Sequence, residues 1–180
     1  MNRILQRLRG TDRRSIGESN RIVAKVLARP DLFGLLFDGL LHNDPVVRMR
    51  AADAVEKITA RHPEYLQPFK SQLIHHVARS DQQEVRWHVA QMFSRLNLTP
   101  KERRVVVETL IRFLDDRSRI VKTFSMQALA DIAQQEPTLR TPVVRLLATL
   151  TRTGSPAMKS RGRRLLTQLR TTRERGQRHH

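Results

Sequence analysis

The sequence predicts an all-α protein, a solenoid of about four helical hairpins behind an N-terminal capping helix. A repeat carries that expectation. Pro45-Val46-Val47-Arg48 running to Val55 and Ile58 returns as Glu84-Val85-Arg86 running to Phe93 and Leu96. It returns again as Ile120-Val121-Lys122 to Leu129 and Ile132, and as Ala157-Met158-Lys159 to Leu166 and Leu169. Each copy has an aliphatic residue, then a base, then apolar residues at offsets seven, eight and eleven. The second observation is the spacing of the copies, 38, 36 and 37 residues, the period of stacked helix pairs. The third is the lack of any run alternating β-branched and polar residues, the mark of a half-buried strand.

The elements follow in order. A helix over 15–28 places Ile22, Val23, Val26 and Leu27 on one side. Helices 31–42 and 45–60 form the first hairpin, with Asp44 as N-cap and Pro45 at the first helical position. Helices 64–79 and 83–96 form the second. Helices 100–114 and 118–134 form the third, opened by Thr99-Pro100-Lys101-Glu102, the pattern of a capping box. Helices 138–151 and 156–170 form the fourth, with Ser155 and Pro156 repeating the Asp44-Pro45 signal. Pro63 and Pro68 are echoed by Pro137 and Pro142, which lie 74 residues on, two periods. The expected organisation is a basic N-terminal segment (1–14), one solenoid domain (15–170) and a basic, frayed tail (171–180).

A chain of 180 residues suits one domain or one short array. It has no cysteine, so disulfides and thiol chemistry are excluded and a reducing, cytoplasmic setting is expected. No apolar run approaches the roughly 18 residues of a membrane span. Residues 1–14 lack the apolar stretch of a secretory signal. Their arginines would suit a transit peptide, but the segment is short and Asp12 and Glu18 interrupt it. The net charge is +17, and it is uneven: residues 1–29 carry +6, residues 153–180 carry +7, and the 123 residues between carry only +4. A basic balance attracts nucleic acid, acidic proteins or anionic membranes without choosing among them.

Phe37-Asp38-Gly39-Leu40-Leu41, followed by Asp44-Pro45-Val46-Val47-Arg48 and Ala51-Ala52-Asp53-Ala54-Val55, resembles a HEAT repeat of the armadillo-like solenoid class. The aliphatic-then-Arg step carries the resemblance, with a small residue four positions after the aliphatic one. That position holds Ala51, Ser125 and Gly162, but Val89 in the second copy. The likeness covers about residues 30–170 and implies a right-handed α-α superhelix. The fourth copy departs most, with Arg163 and Arg164 where small or polar residues are usual, as a terminal repeat would. The resemblance implies little about activity, because many unrelated scaffolds share this packing.

Counting from the aliphatic residue, offsets 0, 4, 7, 8 and 11 share one side of each second helix and form the expected core. Offsets 2, 6 and 9 point the other way. The resemblance implies that they line the concave surface. They include Met49, Asp53, Trp87, Gln91, Thr123, Gln127 and Arg164, the expected partner-binding residues. This is a mixed polar set with the chain's only tryptophan, a residue type enriched among interface hot spots. The alternative is that Trp87 tilts between repeats and packs.

The bases Arg48, Arg86, Lys122 and Lys159 make a ladder of one charge per repeat. It is either a binding edge for anions or a set of partners for groups at the turns. The stripe at offsets three and ten includes Arg50, Lys57, His88, Arg95 and Arg161 and is expected to be solvated charge. The densest basic cluster is Arg161, Arg163, Arg164, Arg170 and Arg173, continuing to Arg175 and Arg178. It is the candidate anion-binding surface, able to hold nucleic acid or a membrane surface without sequence choice, or else a set of solubilising caps; Arg13 and Arg14 join it only if the ends approach, which an open solenoid discourages.

Catalytic signatures are missing. The seven glycines form no phosphate loop, and adjacent His75 and His76 point about 100° apart on a helix, so no metal site is expected. No nucleophile elbow is present. DNA glycosylases of HEAT-like fold share the architecture and the charge. Asp53 and Trp87 are the only groove residues that suit that chemistry, and no local motif matches. The expectation is a non-catalytic scaffold or adaptor, without cofactor, that binds a protein partner as a monomer or end-to-end dimer. A nucleic-acid-binding module using the basic ends is the alternative.

Overall fold

Local signals set the helix starts. The computed structural model describes residues 3–10 and 17–177, and side chains up to 171. Ten α-helices and no strand occur among the described residues. They are α1 (Arg3–Arg7), α2 (Ser19–Ala28), α3 (Phe33–Phe37), α4 (Pro45–Thr59), α5 (Lys70–His75), α6 (Gln83–Phe93), α7 (Pro100–Phe113), α8 (Arg119–Gln135), α9 (Pro137–Thr153) and α10 (Pro156–Gln177). Asp44 caps α4 by accepting the Val46 amide at 2.8 Å. Ser118 caps α8 through Val121 N at 3.4 Å, and Ser155 caps α10 through Met158 N at 3.4 Å. Thr99 and Glu102 form the reciprocal box: Glu102 N donates to Thr99 Oγ1 (3.3 Å) and Thr99 N to Glu102 Oε2 (2.8 Å).

The chain divides into two compact units, Met1–Val105 and Val106–His180. In the first unit α2, α4 and α6 lie side by side, α4 in the middle. The expected core positions of α4, namely Val47, Ala51, Ala54, Val55 and Ile58, are all fully buried. So are Val85, Val89, Met92 and Phe93 of α6. Each large aliphatic side chain buried this way contributes about 1.5–3 kcal/mol.

The first helices of these two hairpins are broken, unlike the continuous helices expected. Residues 31–42 become a 3-10 turn (Pro30–Leu32), α3, and a second 3-10 turn (Asp38–Leu41). Gly39 marks the close approach there: a Cβ would stand 2.8 Å from both Ala51 Cβ and Leu5 Cδ2. Residues 64–79 become a 3-10 stretch (Pro63–Phe69), α5 and a 3-10 turn (Val77–Arg79). Pro68 has no amide to donate, and ring packing holds the tighter winding: Phe69 stacks on Phe37 at 4.6 Å and Tyr65 meets Phe33 edge-on at 5.4 Å. The matching prolines of the second unit lie in an unbroken helix, α9, with Pro142 inside it.

Residues 3–10 pack onto the first unit. Ile4 and Leu8 are buried, and α1 packs on α3. Arg50, 5% exposed, donates to the carbonyls of Leu8 (3.1 Å) and Arg9 (2.7 Å) just beyond α1. Gly10 and Gly17, both at positive φ, flank its guanidinium, and a Cβ at either would come within 2.7 Å of it. Met1, Asn2 and the stretch 11–16, including Arg13 and Arg14, lie outside the described residues.

In the second unit α8, α9 and α10 pack against one another. Val121, Ser125, Ala128, Leu129 and Ile132 of α8 are buried, as are Met158, Leu165 and Leu169 of α10, while Leu166 is half-buried. Gly162 sits where α10 crosses α9: a Cβ would lie 1.9 Å from Thr151 Oγ1 and 3.1 Å from Thr151 Cβ. The small residue four positions after the aliphatic one is thus a steric requirement in this copy. Gly162→Ala should destabilise the protein by about 1–2 kcal/mol although alanine is the better helix former. Urea denaturation should show most of that loss recovered in the Gly162→Ala, Thr151→Ala double variant.

Candidate partner-binding face

The face presented by α2, α4 and α6 is built from polar side chains that mostly satisfy one another. Ser19 at the start of α2 donates its hydroxyl to Asp53 Oδ2 of α4, and Lys57 Nζ reaches the same oxygen at 2.8 Å. Lys57 also donates to Asn20 Oδ1 at 2.9 Å, so two side chains of α4 fasten α2. On the other flank Arg95, just past α6, donates to Glu56 O (2.8 Å) and Thr59 Oγ1 (3.0 Å) and pairs with the Glu56 carboxylate. The stripe expected to be solvated is therefore the seam between neighbouring helices. A helix flanked on both sides turns offsets three and ten toward a neighbour, and buried polar groups there need partners.

His88 completes the seam beside Trp87, with ring centroids 5.6 Å apart. Its Nδ1 is buried and finds no hydrogen-bond partner among the described residues. Burial pushes its pKa down to about 4, against the pull of Asp53 and Glu56 and with the push of Lys57 and Arg95. The ring is neutral in the folded protein at neutral pH.

The expected binding residues divide accordingly. Trp87 is half-buried, and its carbonyl accepts from Gln91 Nε2 at 3.3 Å. Met49 is a correction: at 9% exposure it is buried, because α4 is covered by α2, α3 and α6 and ten of its fifteen residues are buried. Asp53 is present on the face, but its carboxylate is held by Ser19 and Lys57. In the second unit Thr123 turns its hydroxyl back to the carbonyls of Arg119 and Ile120, both at 3.0 Å. Gln127 donates to Asp131 Oδ1 (2.9 Å) and accepts from Arg161 Nη1 (2.9 Å). Burial pushes the Asp131 carboxyl up, an effect that Gln127 and Arg161 oppose. Arg161 also lies over the Phe124 ring, 5.8 Å from its centroid. It is thus consumed by the packing of α10 on α8, whereas Arg163, Arg164 and Arg170 are exposed. The side chain of Arg173 lies outside the described residues, as do those of Arg175 and Arg178.

The ladder of bases does not act as one set. Arg48 donates to the carbonyls of His42 (2.8 Å) and Asn43 (3.0 Å) and to Gln82 Oε1 (3.0 Å). Arg86 donates to Ser80 O at 2.7 Å. Both tie down the turns before their helices. Lys122 and Lys159 have no such bond among the described residues.

Periodicity also missed an open channel of about 530 Å³ between α2 and α4. Val23, Ala24, Leu27 and Ala60 give it apolar walls, with Asn20, Glu56, Lys57 and Arg61 at its rim. Val23 and Leu27 were expected to face inward. Both are half-buried on the edge of α2, and the sequence held no signal for that. Among the described residues no cluster of His, Asp or Glu could hold a metal ion, and no helix is long and apolar enough to cross a membrane.

No protein-family model matches the chain, and no curated protein matches it. It is similar to the crystal structure of an engineered protein, a Northeast Structural Genomics Consortium target, at 18% identity and a TM-score of 0.62, over 94% of this chain and 78% of that one. At that identity the likeness concerns the fold alone.

The seam has a pH signature. His88 is held below its unfolded value of about 6.5, so the unfolded chain binds the extra proton between that pH and about 4. Stability should be full above pH 6.5 and fall by at most about 3 kcal/mol as the pH drops to 4. Denaturation across that range should show a shallower slope in His88→Leu than in the parent. Separately, Arg95→Met should cost about 3 kcal/mol by leaving the Glu56 carboxylate unpaired, and Arg95→Met with Glu56→Leu should cost less.

Proposed function

We propose that the protein is a non-catalytic HEAT-repeat scaffold or adaptor that binds another protein through the surface of its second helices. The repeat period of the sequence supports this reading, as do the packing of α3 on α4 in the first unit and of α9 on α10 in the second. The right-handed superhelical stacking of such repeats is part of the proposal. One observation carries it: along α2, α4 and α6 the charged groups are largely neutralised in place, while the half-buried Trp87 ring and the apolar channel of Val23, Ala24, Leu27 and Ala60 stay accessible. A surface of that kind suits an apolar side chain or a helix edge from a partner. It does not suit a row of phosphates. Asp53, the carboxylate a glycosylase reading would need, is held by Ser19 and Lys57, which gives that reading no support.

The nucleic-acid reading keeps one observation in its favour: Arg163, Arg164 and Arg170 are exposed on one helix without an ion-pair partner among the described residues. Capture of ligands at physiological salt, with and without nuclease, separates the two. On the adaptor reading a protein stays bound after nuclease treatment. Its affinity then falls roughly tenfold or more in Trp87→Ala, and in Leu27→Asp, which puts a charge into the channel. A change below about 0.5 kcal/mol in both variants would remove this face from consideration. Binding lost to nuclease, and falling steeply with added salt, would instead assign the basic end.

A further inference from the structure

The third base of the ladder opens a different site. Lys122 lines a cleft of about 440 Å³ in the second unit, together with Arg117 and Arg119 from the turn after α7 and the start of α8. Leu114, Leu150 and Met158 form its apolar floor, and Asp115, Thr153, Gly154 and Ser155 complete it. The side chains of Arg117, Arg119 and Lys122 make no hydrogen bond or ion pair among the described residues. Three bases and one acid leave the lining at +2.

The repeat explains why the cleft is there. In the first unit Gln82 stands three residues before the aliphatic residue of α6. It spans the matching space, accepting from Arg48 Nε at 3.0 Å and donating to Pro45 O at 2.9 Å. In the second unit the residue three before Met158 is Ser155. Its short side chain is used on its own helix as the cap of Met158 N and reaches no base. The filler is lost, and the base it would have held is left free. Gly154 keeps the α9–α10 turn closed beneath the cleft, since a Cβ there would lie 2.5 Å from Leu150 O and 2.9 Å from Met158 Cβ.

We propose that this cleft binds a phosphate monoester, with the phosphate among Arg117, Arg119 and Lys122 and its carrier on Leu114, Leu150 and Met158. The charge selects the anion. A monoester carries about −1.5 to −2 at neutral pH and matches a +2 lining, whereas a single carboxylate leaves it half compensated. The amide end of α10 adds to the field without being its source. The exposed arginines of α10 hold more charge, but Arg163, Arg164 and Arg170 do not line this cleft. The inference does not depend on the protein-binding reading, which concerns α2, α4 and α6.

The test is titration of the full-length chain at fixed ionic strength with phenyl phosphate, inorganic phosphate and phenol, following backbone amide shifts by NMR. Phosphate-dependent shifts should centre on 114–122 and 150–158. Lys122→Gln should weaken them roughly tenfold, and Ser155→Gln, which restores the filler, should do the same. Arg163→Gln with Arg164→Gln should leave them unchanged. Phenyl phosphate binding more tightly than inorganic phosphate assigns an organic monoester, and equal binding assigns free phosphate. Equal shifts from phenol, shifts centred on 161–170, or a Lys122→Gln variant that folds and titrates like the parent would overturn the site.

Discussion

Helix α4 has α2 on one flank and α6 on the other, and that placement governs what its polar residues can do. A helix with one free face can leave charges to water. A helix in the middle of a layer cannot, because its flanks turn toward backbone and side chains that exclude water. Arg50, Asp53, Glu56 and Lys57 are accordingly all engaged within the protein. The same rule is visible in the second unit, where Arg161 of α10 reaches Gln127 and Phe124 of α8. Apolar stripes drive the layers together. The polar seams fix which helix lies against which, and at what height.

That distinction separates what the sequence made legible from what it did not. Offsets 0, 4, 7 and 8 of α4 are all buried as the helical period requires, although the period did not show that Met49 at offset 2 is buried too. Caps at Asp44, Ser155 and Thr99 were readable for a similar reason: each depends on residues within four positions of it. The breaks in the first-layer segments were not readable. Phe37, Tyr65 and Phe69 winding their segments tightly is a result of rings meeting across a long stretch of chain. The candidate face was legible only in part. Trp87, expected either exposed or packed between repeats, is half-buried, and Met49, two residues from Val47 as Trp87 is from Val85, is covered. An equal offset has an unequal environment, since α4 has more neighbours than a single-helix wheel includes.

Residues at one repeat position also diverge in role. Arg48 and Arg86 fasten turns, while Lys122 faces an open cleft. The change is not made at the base itself but 33 residues later, where serine replaces a longer amide. Such a change stays local. Altering the space beside one turn leaves the stripes that hold the helices unaltered.

Arg48, Arg50, Arg86 and Arg95 share one further property: each donates to main-chain carbonyls. A carbonyl is supplied by every residue, so these arginines recognise the path of a segment and not its spelling. Leu8 and Arg9 as hydrogen-bond acceptors for Arg50 are chemically interchangeable with other residues on the same path, whereas the glycines at 10 and 17 that make room for it are not. Sequence drift in the turns is thereby cheap, and the record of how the chain is fastened is concentrated in a few arginines and two glycines. A homologue of low overall identity would be recognised by that sparse set sooner than by the residues the arginines touch.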